Sequence, residues 1–234
     1  MTKLFQSNLA LLSEMAYPAN FSLEVFSKLH TFKERIAYCK SRLKQLGVGS
    51  SRIAFQVDDT KVLKIAKNRK GIAQNEHESE FGRNNYGCFA ELFNYDDKGY
   101  TWIEMELARR AKAQDFKKFF GITLDFLSDI LEYFYNEYRS TMFYRPSEKV
   151  KKYIKDEIYS EHNIPLYELY TYISDYQPDM ATLNDWKAIS NWGVVNRNGK
   201  EKLVIIDDGF NENVYDKFYK RFWFMTWHLY FSFI

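Results

Sequence analysis

The chain has 234 residues with 46% hydrophobic and 18% aromatic side chains, enough to bury a real core as one large domain or two closely packed lobes. Lys+Arg 33 against Asp+Glu 31 leaves a net charge of +2, too balanced to point to a nucleic-acid partner. Two cysteines, Cys39 and Cys88, make no disulfide framework, and His30, His77, His162 and His228 fall at no metal-ligand spacing. No basic-then-apolar leader pattern opens the chain. The apolar run 222–234 contains His228 and, at 13 residues, is too short to span a bilayer. The expectation is a cytoplasmic protein without membrane contact, its aromatic end packed as a helix.

Residues 1–46 read as helical. Leu9, Leu12, Met15 and Ala16 form a stripe that Pro18 closes. Leu23, Phe26 and Leu29 mark a second segment, and a third runs from Thr31 to Leu46. The pattern turns extended at 46–55, where Gly47, Gly49, Ser50 and Ser51 precede an alternating run with Ile53, Phe55 and Val57 on one face. A second strand, 61–66, follows a turn at Asp58-Asp59. The glycine stretch predicts a flexible loop with accessible backbone N–H groups, able to lie over phosphates, although an ordinary turn has the same composition.

Lys64 lies in phase with Val62 and Ala66 in the second strand, so period two puts it on one face with them. On an inward face it needs an anion, because an unpaired buried ammonium is costly; at an edge it is a solvated charge. The helix-forming stretch 71–81 offers Glu78 as that anion, with Glu76 as the competing choice. Two more strands, 88–94 and 100–106, are joined by a turn at 96–99, which predicts an antiparallel sheet of at least four strands carrying one helix.

Beyond Arg109 the pattern is helical. Leu124, Leu127, Leu131, Phe134 and Tyr138 mark an amphipathic helix of roughly five turns, its aromatics read as core rather than as a base-stacking surface. Pro146 ends that region, and Tyr/Ile/Leu-rich segments run to about 177. Residues 184–195 read as a loop leading into a strand. Asn198-Gly199 is the strongest hairpin signal in the chain, joining 192–196 to 202–206. The second of these strands, Leu203-Val-Ile-Ile, runs into Asp207-Asp208-Gly209. A carboxylate at the end of a buried strand suits Mg²⁺, which prefers oxygen ligands; a strand followed by an acidic surface turn has the same pattern.

Taken in order, a glycine loop, a strand lysine, a helix glutamate, a long helix, a loop aspartate, a hairpin and an Asp-x-Gly resemble the protein kinase-like family, and specifically its short, divergent bacteriophage members. The resemblance covers about 46–110 and 120–212. It implies an α+β, bilobal fold: an N-terminal antiparallel sheet with one helix over 46–107, a reduced, mainly helical C-terminal lobe over 108–234, and an extra helical segment over 1–45. It implies ATP and Mg²⁺ as cofactors. Gly47, Gly49 and Ser50 would cover the phosphates, with Val62 lining the nucleotide site. Lys64 would contact the α- and β-phosphates and pair with Glu78. Asp185 would accept the proton of the substrate hydroxyl, and Asp207 would hold Mg²⁺ with help from Ser190 or Asn191.

The sequence departs from the family's pattern in several places. Arg52 replaces the third loop glycine, Leu183-Asn184 stands where His-Arg is usual, and Asp208 stands where an aromatic is usual. The metal-binding asparagine falls on Ser190, with Asn191 displaced by one, which implies a weaker second metal site. Only 25 residues follow Gly209, leaving no room for the family's activation segment. Three functions follow: a phosphotransferase acting on Ser or Thr hydroxyls of a host or phage protein, a pseudokinase serving as a binding module or virion component, or a small-molecule kinase or other nucleotide transfer on the same fold. The partner would be nucleotide plus an unidentified protein, in the host cytoplasm or the virion.

Overall fold

Ser22 and Thr31 each start a short helix by turning a side-chain oxygen onto the backbone. The computed structural model describes residues 17–81, 86–139 and 144–220. The expected stripe at 9–16 and the terminal helix at 222–234 lie outside them. Ser22 accepts the amide of Val25 and starts α1, Leu23–Ser27. Thr31 starts α2, Phe32–Lys40, with a reciprocal box: its hydroxyl accepts the Glu34 amide, and Glu34 accepts the Thr31 amide at 2.9 Å. Such caps are worth about 1 kcal/mol each.

The helix expected to reach Leu46 stops at Lys40, and strand β1 (Lys44–Val48) begins there instead. Leu46 and Val48 are exposed on this edge strand, so no buried alternation marks where it begins. Hairpin strands β2 (Arg52–Gln56) and β3 (Lys61–Ala66) follow, then helix α3 (Arg69–Phe81) and strands β4 (Leu92–Tyr95) and β5 (Trp102–Glu106). They form one five-stranded antiparallel sheet in the order β1-β2-β3-β5-β4. One face of this sheet is apolar: Ile53, Phe55, Leu63, Ile65 and Trp102 pack with Phe21, Phe26, Cys39 and Leu43 from the leading helices. Among the described residues before 46, Phe21, Phe26, Cys39 and Leu43 therefore share a core with the sheet. One compact unit is Met1–Glu80 with Glu91–Leu107.

The second unit is Phe81–Ala90 with Ala108–Ile234. The expected strand 88–94 is divided between the units. Phe89 bridges in parallel to Ile205, whereas Leu92 pairs with Met105 in the five-stranded sheet. The second unit holds α4 (Ala113–Phe120), α5 (Leu124–Arg139), α6 (Glu148–Tyr153) running into a π-helical turn (Ile154–Ile158), α7 (Ile164–Tyr176) and α8 (Met180–Asp185). A three-stranded sheet, β6 (Arg109–Arg110), β7 (Trp192–Arg197) and β8 (Lys200–Ile205), is followed by α9 (Glu212–Phe218). Leu127, Ile130, Leu131 and Phe134 of α5 are buried among Leu166, Leu169 and Ile173 of α7, as an amphipathic stripe requires. Asn198 and Gly199 sit at φ 55° and 78°, the left-handed pair that a two-residue hairpin demands. The molecule is thus α+β, with an antiparallel sheet in each unit. Among the described residues no helix is long and apolar enough to cross a membrane.

Candidate functional site

Two clusters carry the candidate chemistry, one in each unit. In the sheet unit, antiparallel register puts Arg52 opposite Ala66, Ala54 opposite Lys64, and Val62 opposite Met105. These side chains share the face that the leading helices do not cover, since period two sends Leu63 and Ile65 the other way. Helix α3 meets this face. Lys64 Nζ donates to Glu78 at 2.9 Å, and Arg52 donates to the other Glu78 oxygen at 2.8 Å. Glu76 is exposed, so the carboxylate beside Lys64 is Glu78. Arg52, which the sequence offered only as a missing glycine, also donates to Asn75 at 3.3 Å; Asn75 in turn donates to the Tyr100 carbonyl at 2.9 Å. The signal for Arg52 was its phase, in line with Ala54 and opposite Ile53.

Glu78 is 3% exposed and Arg52 7%. A carboxylate so deep is destabilising unless paired and hydrogen-bonded, and two cations satisfy it here. Helix α3 reaches this depth because residue 71 has no side chain. A Cβ on Gly71 would stand 2.3 Å from the Ser51 carbonyl oxygen, closer than side chains come to backbone, and 3.0 Å from the Ala66 Cα.

The glycine stretch differs from expectation. Gly47 lies inside β1 opposite Ala54, next to a register shift, and is not part of a loop. The turn is short, and the Gly49 amide donates to the Arg52 carbonyl at 2.8 Å, closing the β1–β2 hairpin. Its polar groups are clasped by the start of α3. Lys67 donates to the Gly49 carbonyl, Asn68 to the Ser50 carbonyl and Lys70 to the Ser50 hydroxyl, while Ser51 donates to Gln74. A flexible lead-in is replaced by a turn tied to the helix that carries Glu78. Val62 is buried beside Lys64 on the same face.

In the second unit, Asp185 is the last residue of α8 rather than part of a loop; Asp179 caps that helix by accepting the Thr182 amide at 2.9 Å. The chain then makes a 3-10 turn, Ile189–Asn191, before β7. Asn191 faces both ways. Its side-chain amide donates to the Asp185 carbonyl at 2.8 Å, and its backbone carbonyl accepts the Ile206 amide at 2.8 Å, one residue before Asp207. Ser190 is exposed, and its hydroxyl donates to the Asn191 side-chain oxygen at 3.3 Å. Asp207 is half-buried just past the end of β8, and Asp208 is buried, accepting a hydrogen bond from the Trp186 indole at 2.8 Å. Trp186 was not singled out by sequence reasoning. Nothing in its periodicity marks it, and only its place after Asp185 could have drawn notice.

Among the described residues, no group of three or more His, Cys, Asp or Glu side chains is arranged to hold a metal ion. A fully protein-built metal cage is therefore not offered. Asp207 and Asn191 each carry a side-chain oxygen, the donor type that hard cations take.

No family model matches the chain, and no curated protein matches it. Solved structures do. One is the streptomycin-ATP-APH(2")-IIa ternary complex, at 16% identity and a TM-score of 0.34, covering 83% of this chain and 73% of the other. Another is the GDP complex of a mutant aminoglycoside 2'-phosphotransferase-IIIa, at 13% identity and a TM-score of 0.36, covering 81% and 76%. Both scores lie below 0.5, so what this chain does has to be read from its own residues.

Proposed function

We propose that the chain is a Mg·ATP-dependent phosphotransferase that moves the γ-phosphoryl group to a hydroxyl, with Ser or Thr of a host or phage protein as acceptor class. The observation that carries this reading is the ion pair of Lys64 with buried Glu78, with Arg52 on the same carboxylate. Glu78 fixes the Lys64 ammonium on an inward sheet position, where two cations share one carboxylate. An ammonium and a guanidinium fixed in this way are donors of the kind that phosphate oxygens accept from. Val62 and Ala54 on the same face are small and apolar, and can lie against a flat base.

Asp185 supplies the general base. Its carboxylate takes the acceptor hydroxyl's proton as that oxygen bonds to the γ-phosphorus. The bond from phosphorus to the bridging oxygen breaks, and ADP leaves with that electron pair. Asp207 and Asn191 would hold Mg²⁺, whose contribution is to neutralise charge on the phosphates. Ser190 orients the Asn191 side chain, and Asn191 holds the Asp185 backbone. Preorganised groups of this kind are what phosphoryl transfer needs from a protein, because positioning and electrostatics supply most of the catalysis.

A second reading, a catalytically inactive binding module, is favoured by one feature. Gly47 is consumed by β1 and the Gly49 amide by the hairpin, so the turn offers phosphates fewer donors than a full glycine loop. Transfer from γ-labelled ATP to casein, to a Ser/Thr peptide library or to the chain itself tests the two. Label transfer that falls by about 10²–10⁴-fold in Asp185→Asn supports the phosphotransferase. Nucleotide binding with no transfer to any acceptor supports the module.

A further inference from the structure

We infer that Trp186 and Asp208 are positioning residues, their buried hydrogen bond setting the segment that carries Asp185 against the segment that carries Asp207. This rests on the functional reading above. Each member of the pair is the sequence neighbour of one candidate aspartate. The indole Nε1 donates to Asp208 Oδ1 at 2.8 Å, with Trp186 0% and Asp208 6% exposed.

The pair is itself held in place. Trp192 Nε1 donates to the Trp186 carbonyl at 2.6 Å, so two indoles in series connect the start of β7 to the turn after α8. Phe89 and Tyr172 wall the Trp186 ring, with centroids at 5.7 and 5.9 Å. Phe89 is fixed to β8 in turn: the Ile205 amide donates to the Cys88 carbonyl at 2.8 Å, and the Ala90 amide to the Ile205 carbonyl at 2.9 Å. With the Asn191 strut, the two aspartate-bearing segments are joined on both sides, by backbone at 191–206 and by side chains at 186–208.

A buried carboxylate is a poor choice for stability alone, because an apolar side chain of similar size packs as well without desolvation cost. What an Asp adds is direction. It fixes one ring orientation of Trp186, and with it the backbone at Asp185. The departure at Asp208 noted in the sequence thereby acquires a partner. Groups that orient metal- and substrate-binding side chains act through geometry, and losing one costs about 10–100-fold in metal affinity.

The test is a Mg²⁺ titration at fixed ATP, followed by calorimetry, on the full chain and its variants. Trp186→Phe fills most of the ring volume but has no N–H, and Asp208→Leu removes the acceptor while remaining apolar. Each should raise the apparent Mg²⁺ dissociation constant about 10-fold or more and leave Mg²⁺-free ATP binding unchanged. Asp208→Asn, whose amide oxygen still accepts, should recover most of the loss seen in Asp208→Leu. Should Trp186→Phe not fold, the two Asp208 variants decide alone. A wild type that binds Mg·ATP, beside variants with the same Mg²⁺ constant, overturns this inference and leaves the function standing. A wild type with no Mg²⁺-dependent nucleotide binding overturns both.

Discussion

Glu78 in the sheet unit is gripped directly by two cations, Lys64 at 2.9 Å and Arg52 at 2.8 Å. In the second unit, the segments that carry Asp185 and Asp207 are held by hydrogen bonds of Asn191, Trp186 and Asp208. The first cluster is a charge balance, in which removing a member changes the field at the site and the stability together. The second contains a frame, in which hydrogen bonds made by other residues hold the segments that carry the two aspartates. The two should therefore respond to mutation differently, the first in stability and the second in metal or substrate affinity.

The sharpest way to break that contrast is Glu78→Ala. It leaves buried Arg52 and half-buried Lys64 without the carboxylate they share and should cost about 3–5 kcal/mol in denaturant unfolding. Lys64→Ala and Arg52→Ala each leave Glu78 with the other cation and should cost about 1–3 kcal/mol. Equal losses across the three would mean that the cations do not share one carboxylate. Next in size is Gly71→Ala, where the added methyl meets the Ser51 carbonyl and must lift α3 from the sheet. A loss of about 2 kcal/mol is expected, together with weaker nucleotide binding, because Glu78 rides on that helix. Asn191→Ala removes one side-chain bond to the Asp185 carbonyl and should cost only about 1 kcal/mol of stability. Its effect on Mg²⁺ affinity should be proportionally much larger, because the same side chain is also a proposed Mg²⁺ ligand.

The smallest effect concerns a third buried carboxylate. Glu104 faces the apolar core of the sheet unit, accepting from the Tyr17 hydroxyl at 2.5 Å with Lys61 at 3.5 Å. Burial pushes its carboxyl above the usual range, although both neighbours pull it down. The folded state then holds that proton more tightly than the unfolded chain does. Its contribution to stability is full below the ordinary carboxylate value and is lost as pH rises through the raised one. Melting curves of the wild type and Glu104→Gln should thus converge or cross in favour of the wild type as pH falls from about 7 towards about 4.5, through the carboxylate range. A gap that widens against the wild type on acidification would reverse the sign.

Legibility in the sequence followed the range of the interactions. Lys64 and Glu78 were readable because alternation fixes a strand's faces and helix composition marks the next element, so two local patterns pointed at one contact. The Asn198-Gly199 hairpin was readable because its left-handed backbone admits few residue types. Strand β1 was not, since Leu46 and Val48 sit exposed on an edge and their pairing with β2 is invisible without the partner. The break near Glu91 was hidden for a related reason. Phe89 and Leu92 look like one strand locally, yet they pair with β8 and β5 respectively. Trp186 was missed because its partner, Asp208, lies 22 positions away, and no periodicity connects them.

The central claim is Mg·ATP binding that requires both Lys64 and Asp207, and nucleotide-dependent thermal stabilisation tests it most directly. At millimolar ATP with Mg²⁺, the wild type should melt at a higher temperature, since a ligand that binds only the folded chain stabilises it by mass action. Lys64→Ala should abolish that rise with or without Mg²⁺, and Asp207→Ala should abolish only its Mg²⁺-dependent part. A wild type whose melting temperature does not move with Mg·ATP, or variants that respond as the wild type does, would contradict the account.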